Sequence, residues 1–179
     1  MRRSILIIVY YSRYYYRSLT MNKFSAELLG GNIRFGKYPT DEEVQLLKNN
    51  GYIVFLDLCT NDEITWTPYN DQGLYYNSLP IIDRTPNVGD LTIFRTYISQ
   101  LTESVRQGYK LYIHCRGGHG RSAMVAAIIY GKLTNSAPQT CLLTVKESHQ
   151  LRTEMKPKYR KMGAPQTAAQ KKFVLSELL

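Results

Sequence analysis

From about Asn32 onward the apolar positions fall into short runs and helical stripes. The segment NIRFG, residues 32–36, reads as a short strand, and Pro39 leads into Thr40-Asp41-Glu42-Glu43. Thr40 and Glu43 have the spacing of a capping box, which predicts a helix running to about Asn49 and ended by Gly51. YIVFLDL, residues 52–58, is a β-branched and aromatic run with the length of a buried strand. A further short strand is expected over 74–79, followed by a loop from Pro80 to Asp90. Leu91, Phe94, Ile98, Leu101 and Val105 recur at three- and four-residue steps with Gly108 beyond them, the pattern of an amphipathic helix over 91–106. KLYIH then reads as a strand, CRGGHGR as a glycine-rich loop and SAMVAAIIYGKL as an apolar helix. Ser136 with Gln139 predicts another capped helix to about Arg152, and residues 165–178 a last one. Strands alternating with helices, then helices alone, predict an α/β fold: a short central, mostly parallel sheet flanked by helices.

Residues 1–23 stand apart, because YYSRYYYR is aromatic and basic without a clean period. They read as an N-terminal extension to a domain at 24–179. Such an arm packs on its own domain, mediates a homodimer, or touches membrane or nucleic acid. A length of 179 residues suits one domain with a single core. Lysine and arginine number 23 against 14 acids, a net charge of +9, which favours phosphorylated or polyanionic partners without choosing among them. No run approaches the roughly 20 apolar residues of a transmembrane helix. The apolar run Ile5 to Val9 is interrupted by tyrosines and Arg13 and has no small-residue cleavage site after it, so a secretory leader is not expected. Cys59, Cys115 and Cys141 are too few for a disulfide framework and lack zinc-type CxxC pairing. A reducing, intracellular and cytoplasmic setting is therefore expected.

The chemistry concentrates in Ile113-His114-Cys115-Arg116-Gly117-Gly118-His119-Gly120-Arg121-Ser122, between a predicted strand and a predicted helix. Gly117, Gly118 and Gly120 let the backbone curl so that successive N–H groups point inward beside a helix N-terminus, a nest for a phosphate-sized anion. The same field stabilises a thiolate, which makes Cys115 the candidate nucleophile. Arg121, six positions on, can return its planar fork to the anion that the thiolate attacks. Ser122 is placed to donate a hydrogen bond to the sulfur, and His114 to orient the loop.

His114-Cys115-x5-Arg121-Ser122 resembles the HC-x5-R-[ST] signature of the cysteine-dependent protein tyrosine phosphatases, in their small dual-specificity branch. The resemblance spans about residues 24–179, and NIRFGKYPTDEEVQLLKNNGYIVFLDL is similar to that branch's opening strand, helix and strand. It implies a strand–phosphate loop–helix unit and a cofactor-independent phosphatase acting on phosphotyrosine, with phosphoserine and phosphothreonine as further substrates in proteins. It also implies a carboxylic acid on a loop upstream, in Pro80-Ile81-Ile82-Asp83-Arg84-Thr85-Pro86, where Asp83 is the expected general acid. Asp90 is the alternative, although its place before a helix suits an N-cap. The tryptophan-proline pair that precedes this aspartate in tyrosine-specific members is absent. Gln166-Thr167-Ala168-Ala169-Gln170-Lys171-Lys172-Phe173 is similar to the QTxxQxxF motif, in which the first glutamine positions water; an ordinary polar helix start is the competing reading.

Arg116 and His119 occupy variable loop positions, and two potentially cationic side chains there resemble the lipid-phosphatase branch, so a phosphoinositide substrate stands as an alternative. An RNA 5′-phosphatase shares the HC-x5-R frame, but its usual histidine and asparagine are replaced by Gly117 and Gly120. A non-catalytic phosphoprotein-binding module is the third reading. Cys59, at the end of the 52–58 strand, is either an inert buried thiol or a resolving cysteine that pairs with Cys115 under oxidation. Cys141 and His149 carry no partner pattern.

Overall fold

The structure is a computed structural model that describes residues 20–179. Five strands form one sheet in the spatial order β1 (Ser25–Leu28), β2 (Ile33–Lys37), β5 (Lys110–Cys115), β3 (Tyr52–Asp57), β4 (Tyr75–Ser78). β1 runs antiparallel to β2, and the other three pairings are parallel. The helices are α1 (Asp41–Asn49), α2 (Leu91–Arg106), α3 (Arg121–Thr134), α4 (Pro138–Gln150), α5 (Pro157–Met162) and α6 (Ala168–Glu177). The α/β fold is therefore the one the pattern predicts.

Two hydrophobic clusters arise because strand side chains alternate in direction. On β5, Leu111, Ile113 and Cys115 join the larger cluster with α2 and α3, whereas Tyr112 joins a smaller one with Val44 and Leu47 of α1. α3 is buried from Arg121 through Ile129, packed on β2 and β5 and against α2, α4 and α6. An apolar helix at the centre of a layer is what SAMVAAIIYGKL requires. It fixes the start of α3, and so the glycine-rich loop before it, relative to the sheet.

The predicted caps hold at two helices. Thr40 and Glu43 form the reciprocal capping box of α1, and the Asp90 carboxylate accepts from the backbone N–H groups of Thr92 and Ile93 at the start of α2. Thr167 and Gln170 form another box at α6. The box expected at Ser136 is absent: Pro138 occupies the first helical position of α4, Ala137 is the N-cap, and the Ser136 hydroxyl pairs with Thr134 Oγ1 instead. Of the 1–23 segment, only residues 20–23 are described. They are bound to the domain: Met21 is buried in the smaller cluster, Asn22 Oδ1 accepts from Arg34, and Lys23 pairs with Glu154. The YYSRYYYR stretch and the arm's expected contacts lie outside the described residues. Among the described residues no helix is long and apolar enough to cross a membrane.

Candidate active site

β5 ends on Cys115 at the C-terminal edge of the parallel strands, and α3 begins six residues later. Gly120, the N-cap of α3, offers no side-chain cap, so the amides of the first helical turn remain directed at the loop. Gly118 adopts φ +73°, a conformation L side chains rarely adopt, and a Cβ there would stand 2.2 Å from the carbonyl carbon of Gly36 and 2.3 Å from Lys37 N. Only glycine lets the loop curl this tightly against the end of β2. The curl aims Gly118 N–H at Cys115 Sγ, 3.3 Å away, and Ser122 Oγ lies 3.5 Å from the same sulfur.

Cys115 is 3% exposed at a cavity of about 440 Å³. Asp83, Arg84, Arg116, Arg121, Tyr159 and Gln166 line it as well, along with Gly117, His119 and Gly120 of the loop. The residues the sequence singled out, separated by up to 83 positions, therefore meet around one space. Asp83 sits in a turn closed by Thr85 N–H on Ile82 C=O, with Arg84 at φ +62°. Thr167 Oγ1 donates to Arg84 C=O, which ties this turn to the start of α6 beside Gln166. A Cβ on Gly120 would meet Gln166 Oε1 at 3.0 Å, so that amide lies directly over the loop.

Arg121 is buried, and its guanidinium is divided between partners. Nη1 donates to Glu63 Oε2 at 2.5 Å, Ile81 C=O at 2.9 Å and Leu58 C=O at 3.2 Å; Nη2 donates to Glu63 Oε1 at 2.7 Å and lies 3.2 Å from Asp83 Oδ1. Nε makes no hydrogen bond. Glu63 thus occupies the end of the fork and leaves the Nε–Nη2 side for an anion, a side on which the Asp83 carboxylate now rests. Burial opposes the charge on Arg121, yet its hydrogen bonds to Glu63 outweigh that and raise its pKa above the ordinary value. Burial likewise opposes ionisation of Glu63, and the Arg121 hydrogen bonds overcome that to hold it at about 2.

Sequence comparison places most of this site within a known family. The family model described as Cyclin-dependent kinase inhibitor 3 (CDKN3) matches residues 39–142. The chain belongs to the cysteine-dependent protein tyrosine phosphatase superfamily, in its small dual-specificity branch. It is 36% identical over 118 residues to protein 197R of Invertebrate iridescent virus 6, provisionally named a tyrosine phosphatase, covering 64% of this chain and 44% of that one. It is 34% identical over 142 residues to the similarly named 067L of Invertebrate iridescent virus 3, covering 78% and 59%. The chain thus spans about half the length of these viral relatives. Its fold is similar to that of Tk-PTP in the active form (TM-score 0.66, 24% identity, 86% of this chain and 95% of that one). It is also similar to kinase associated phosphatase carrying serine for its catalytic cysteine (TM-score 0.62, 21% identity, 79% and 83%).

Behind the phosphatase loop lie residues that spacing alone did not connect. His114 is fully buried; its Nε2 is 2.9 Å from Tyr69 Oη and its Nδ1 3.5 Å from Asp57 Oδ1. Burial lowers its pKa to about 4 despite Asp57, so the ring is neutral. Asp57 accepts from Cys59 N–H and Tyr76 Oη, bracing the turn after β3. Asp57, Cys59 and His114 offer donor atoms within 4.8 Å of one another, the arrangement among the described residues that a metal ion would most readily use. Burial first, then the Asp57 carboxylate, pushes the Cys59 thiol far up, which keeps it in the protonated form that does not attack an oxidised sulfur. All three cysteines are free.

On the other flank His119 is stacked on Tyr159 at 4.1 Å, with Nδ1 2.9 Å from His149 Nε2. Burial, then the nearby Arg152 charge, lowers its pKa to about 3. The expectation of two cationic side chains on the loop is therefore corrected at His119, which is neutral; Arg116 is exposed, over the Trp66 ring. His149, without a partner pattern in the sequence, belongs to this cluster. Arg152 is buried there too and donates from Nη1 to Gly118 C=O at 2.9 Å and Gly117 C=O at 3.4 Å, drawing loop carbonyls outward and so turning amides inward.

Proposed function

We propose that the chain is a phosphatase that hydrolyses phosphotyrosine, and also phosphoserine or phosphothreonine, in proteins through a phosphocysteine intermediate. The observation that carries this reading is the convergence on one sulfur: Gly118 N–H and Ser122 Oγ at Cys115, with Arg121 and Asp83 on the wall of the same cavity. The names of the viral relatives support it.

The substrate phosphate takes the Nε–Nη2 side of Arg121 and the inward loop amides, displacing Asp83 from the guanidinium. Cys115 attacks phosphorus, forming an S–P bond as the P–O bond to the substrate breaks. The Asp83 carboxyl group, turned toward the leaving oxygen, passes to it a proton taken up from solvent. Water held by Gln166 then attacks phosphorus, Asp83 takes a proton from it, and the thiolate leaves with the Ser122 hydroxyl donating to sulfur. Charge developing on the equatorial oxygens meets fixed donors throughout, which is where most of the acceleration in such sites originates. None of these steps requires a metal.

The test is phosphate release from a phosphotyrosine peptide without added metal, wild type against Cys115→Ser. Release that vanishes in the variant is the expected result. Release from inositol phospholipids and not from peptides would replace the protein substrate with a lipid one, and release from neither would refute the phosphatase assignment.

A further inference from the structure

Next to the catalytic cavity is a second one of about 370 Å³, walled by Tyr38, Trp66 and Tyr69 and rimmed by Asp41 and Glu42. The two cavities share Arg116, the residue that follows the nucleophile. Trp66 is 40% exposed, although a ring of that size gains most from burial. It is held in place by an edge contact with Tyr38 at 5.5 Å, and Tyr38 rests in turn on Tyr69 at 5.0 Å. The Arg116 guanidinium lies 5.6 Å from the Trp66 centroid and fixes the wall between the cavities.

The charge of this cleft is opposite to that of its neighbour. Asp41 accepts from Asn70 N–H, and Glu42 from Thr40 Oγ1 and its own backbone N–H, which holds both carboxylates at the rim. Neither carboxylate makes an ion pair among the described residues; the nearby Lys37 is taken by Glu43. On a chain of net charge +9, an aromatic cleft with two acids at its rim is a local exception beside a phosphate site.

We propose that this cleft is a substrate subsite that takes a lysine or arginine side chain one or two residues from the phosphorylated residue. An extended peptide advances roughly 3.3–3.6 Å per residue, so a side chain adjacent to the phosphoresidue crosses Arg116 into the cleft. Its apolar stem lies on Trp66 and Tyr38, and its cation reaches the carboxylates of Asp41 and Glu42. Arg116 stays over the indole and faces the phosphate side, so the rim presents a cation to the phosphate and acids to the flanking base.

The inference rests on the phosphatase reading, and its test separates the two. Phosphotyrosine peptides that carry Lys or Arg, Ala, or Glu at the two flanking positions are compared by kcat/KM with the full chain. Basic peptides are expected to exceed the alanine peptide by about five- to tenfold, the sum of a partly exposed cation–π contact and an exposed ion pair. That ratio is expected to fall toward one in Glu42→Gln and in Trp66→Ala. Trp66 is the chain's one tryptophan, so its emission reads the cleft directly: in Cys115→Ser, the basic peptide shifts it more than the alanine peptide does. Equal rates for all peptides, a preference for the acidic one, a ratio unchanged in Glu42→Gln, or an emission indifferent to the flanking residue would each overturn the subsite while leaving the phosphatase standing. Absence of phosphate release from every peptide would overturn both.

Discussion

Glutamine at position 63 keeps the shape of the side chain that grips Arg121 but removes its charge and one of its two acceptors. In the wild-type structure Glu63 accepts at 2.5 and 2.7 Å from the two Nη atoms of a buried guanidinium, a bidentate pair. In Glu63→Gln one oxygen still accepts, while the new amide N–H group faces an Arg N–H and must turn away. Loss of one charge-assisted hydrogen bond is worth about 1.5–3 kcal/mol, and outright removal of a buried partner about 3–5 kcal/mol. Arg121 keeps the carbonyls of Leu58 and Ile81, so about 2 kcal/mol of stability is the expected loss in urea denaturation at pH 7. Released from its end-on partner, the guanidinium also loses the orientation that reserves its Nε–Nη2 side for phosphate, and kcat/KM on p-nitrophenyl phosphate should fall about tenfold or more. Acidity supplies a third readout. A carboxylate held at about 2 against an ordinary 4.5 contributes stability that is complete above 4.5 and is lost as pH falls from there toward 2. The variant lacks that component, so its stability deficit should shrink across this window. A Glu63→Gln protein with wild-type stability and wild-type kcat/KM would refute the view that this pair sets the arginine.

Three further outcomes follow from the same geometry. Gly118→Ala puts a methyl 2.2 Å from Gly36 C at a positive φ, so the loop must move and kcat/KM should drop about a hundredfold with the far-ultraviolet circular dichroism unchanged; an alanine variant with a tenth of normal activity would contradict this. Arg152→Met leaves two loop carbonyls without a donor, and inorganic phosphate should inhibit several-fold more weakly, with Arg152→Lys restoring part of the effect; an unchanged inhibition constant would reduce Arg152 to a packing role. The chain's three histidines are all buried, with pKa values lowered to about 4, 3 and 4. Each contributes stability that is present above the unfolded value near 6.5 and is lost as pH falls toward its folded value. Up to three protons bind on unfolding, a slope of about 4 kcal/mol per pH unit at its steepest. Urea midpoints that stay level between pH 7 and 5 would show that these rings are not neutral in the fold.

What could be read from the sequence, and what could not, divides by the distance over which each feature is encoded. β3, β5 and α2 carry their burial pattern within six to sixteen residues, and the loop from His114 to Ser122 carries both its turn chemistry and its reactive groups in nine. β1 escaped because Ser-Ala-Glu-Leu has no strand pattern of its own; it is a strand through antiparallel pairing with β2 and the buried Arg34, which bonds Asn22, Ser25 and Glu27. α5 is six residues opened by Pro157, too short for a helical stripe to register. Glu63 lies 58 positions before Arg121, inside a polar stretch that reads as a solvated turn. A signal for it existed: Thr60 and Glu63 have capping-box spacing directly after a buried strand, and the Glu63 carboxylate does accept from Thr60 N–H and Oγ1. In a parallel sheet the turns that follow adjacent strands gather at one edge. β3 and β5 are neighbours, so a carboxylate in the turn after β3 must lie near whatever follows Cys115. The arginine that follows is buried, and a buried guanidinium is costly unless it is paired or fully hydrogen-bonded. Sheet order therefore supplies what spacing along the chain could not: the acid that aims Arg121 comes from the turn next door, and the phosphate loop is complete only when two strand ends are read together.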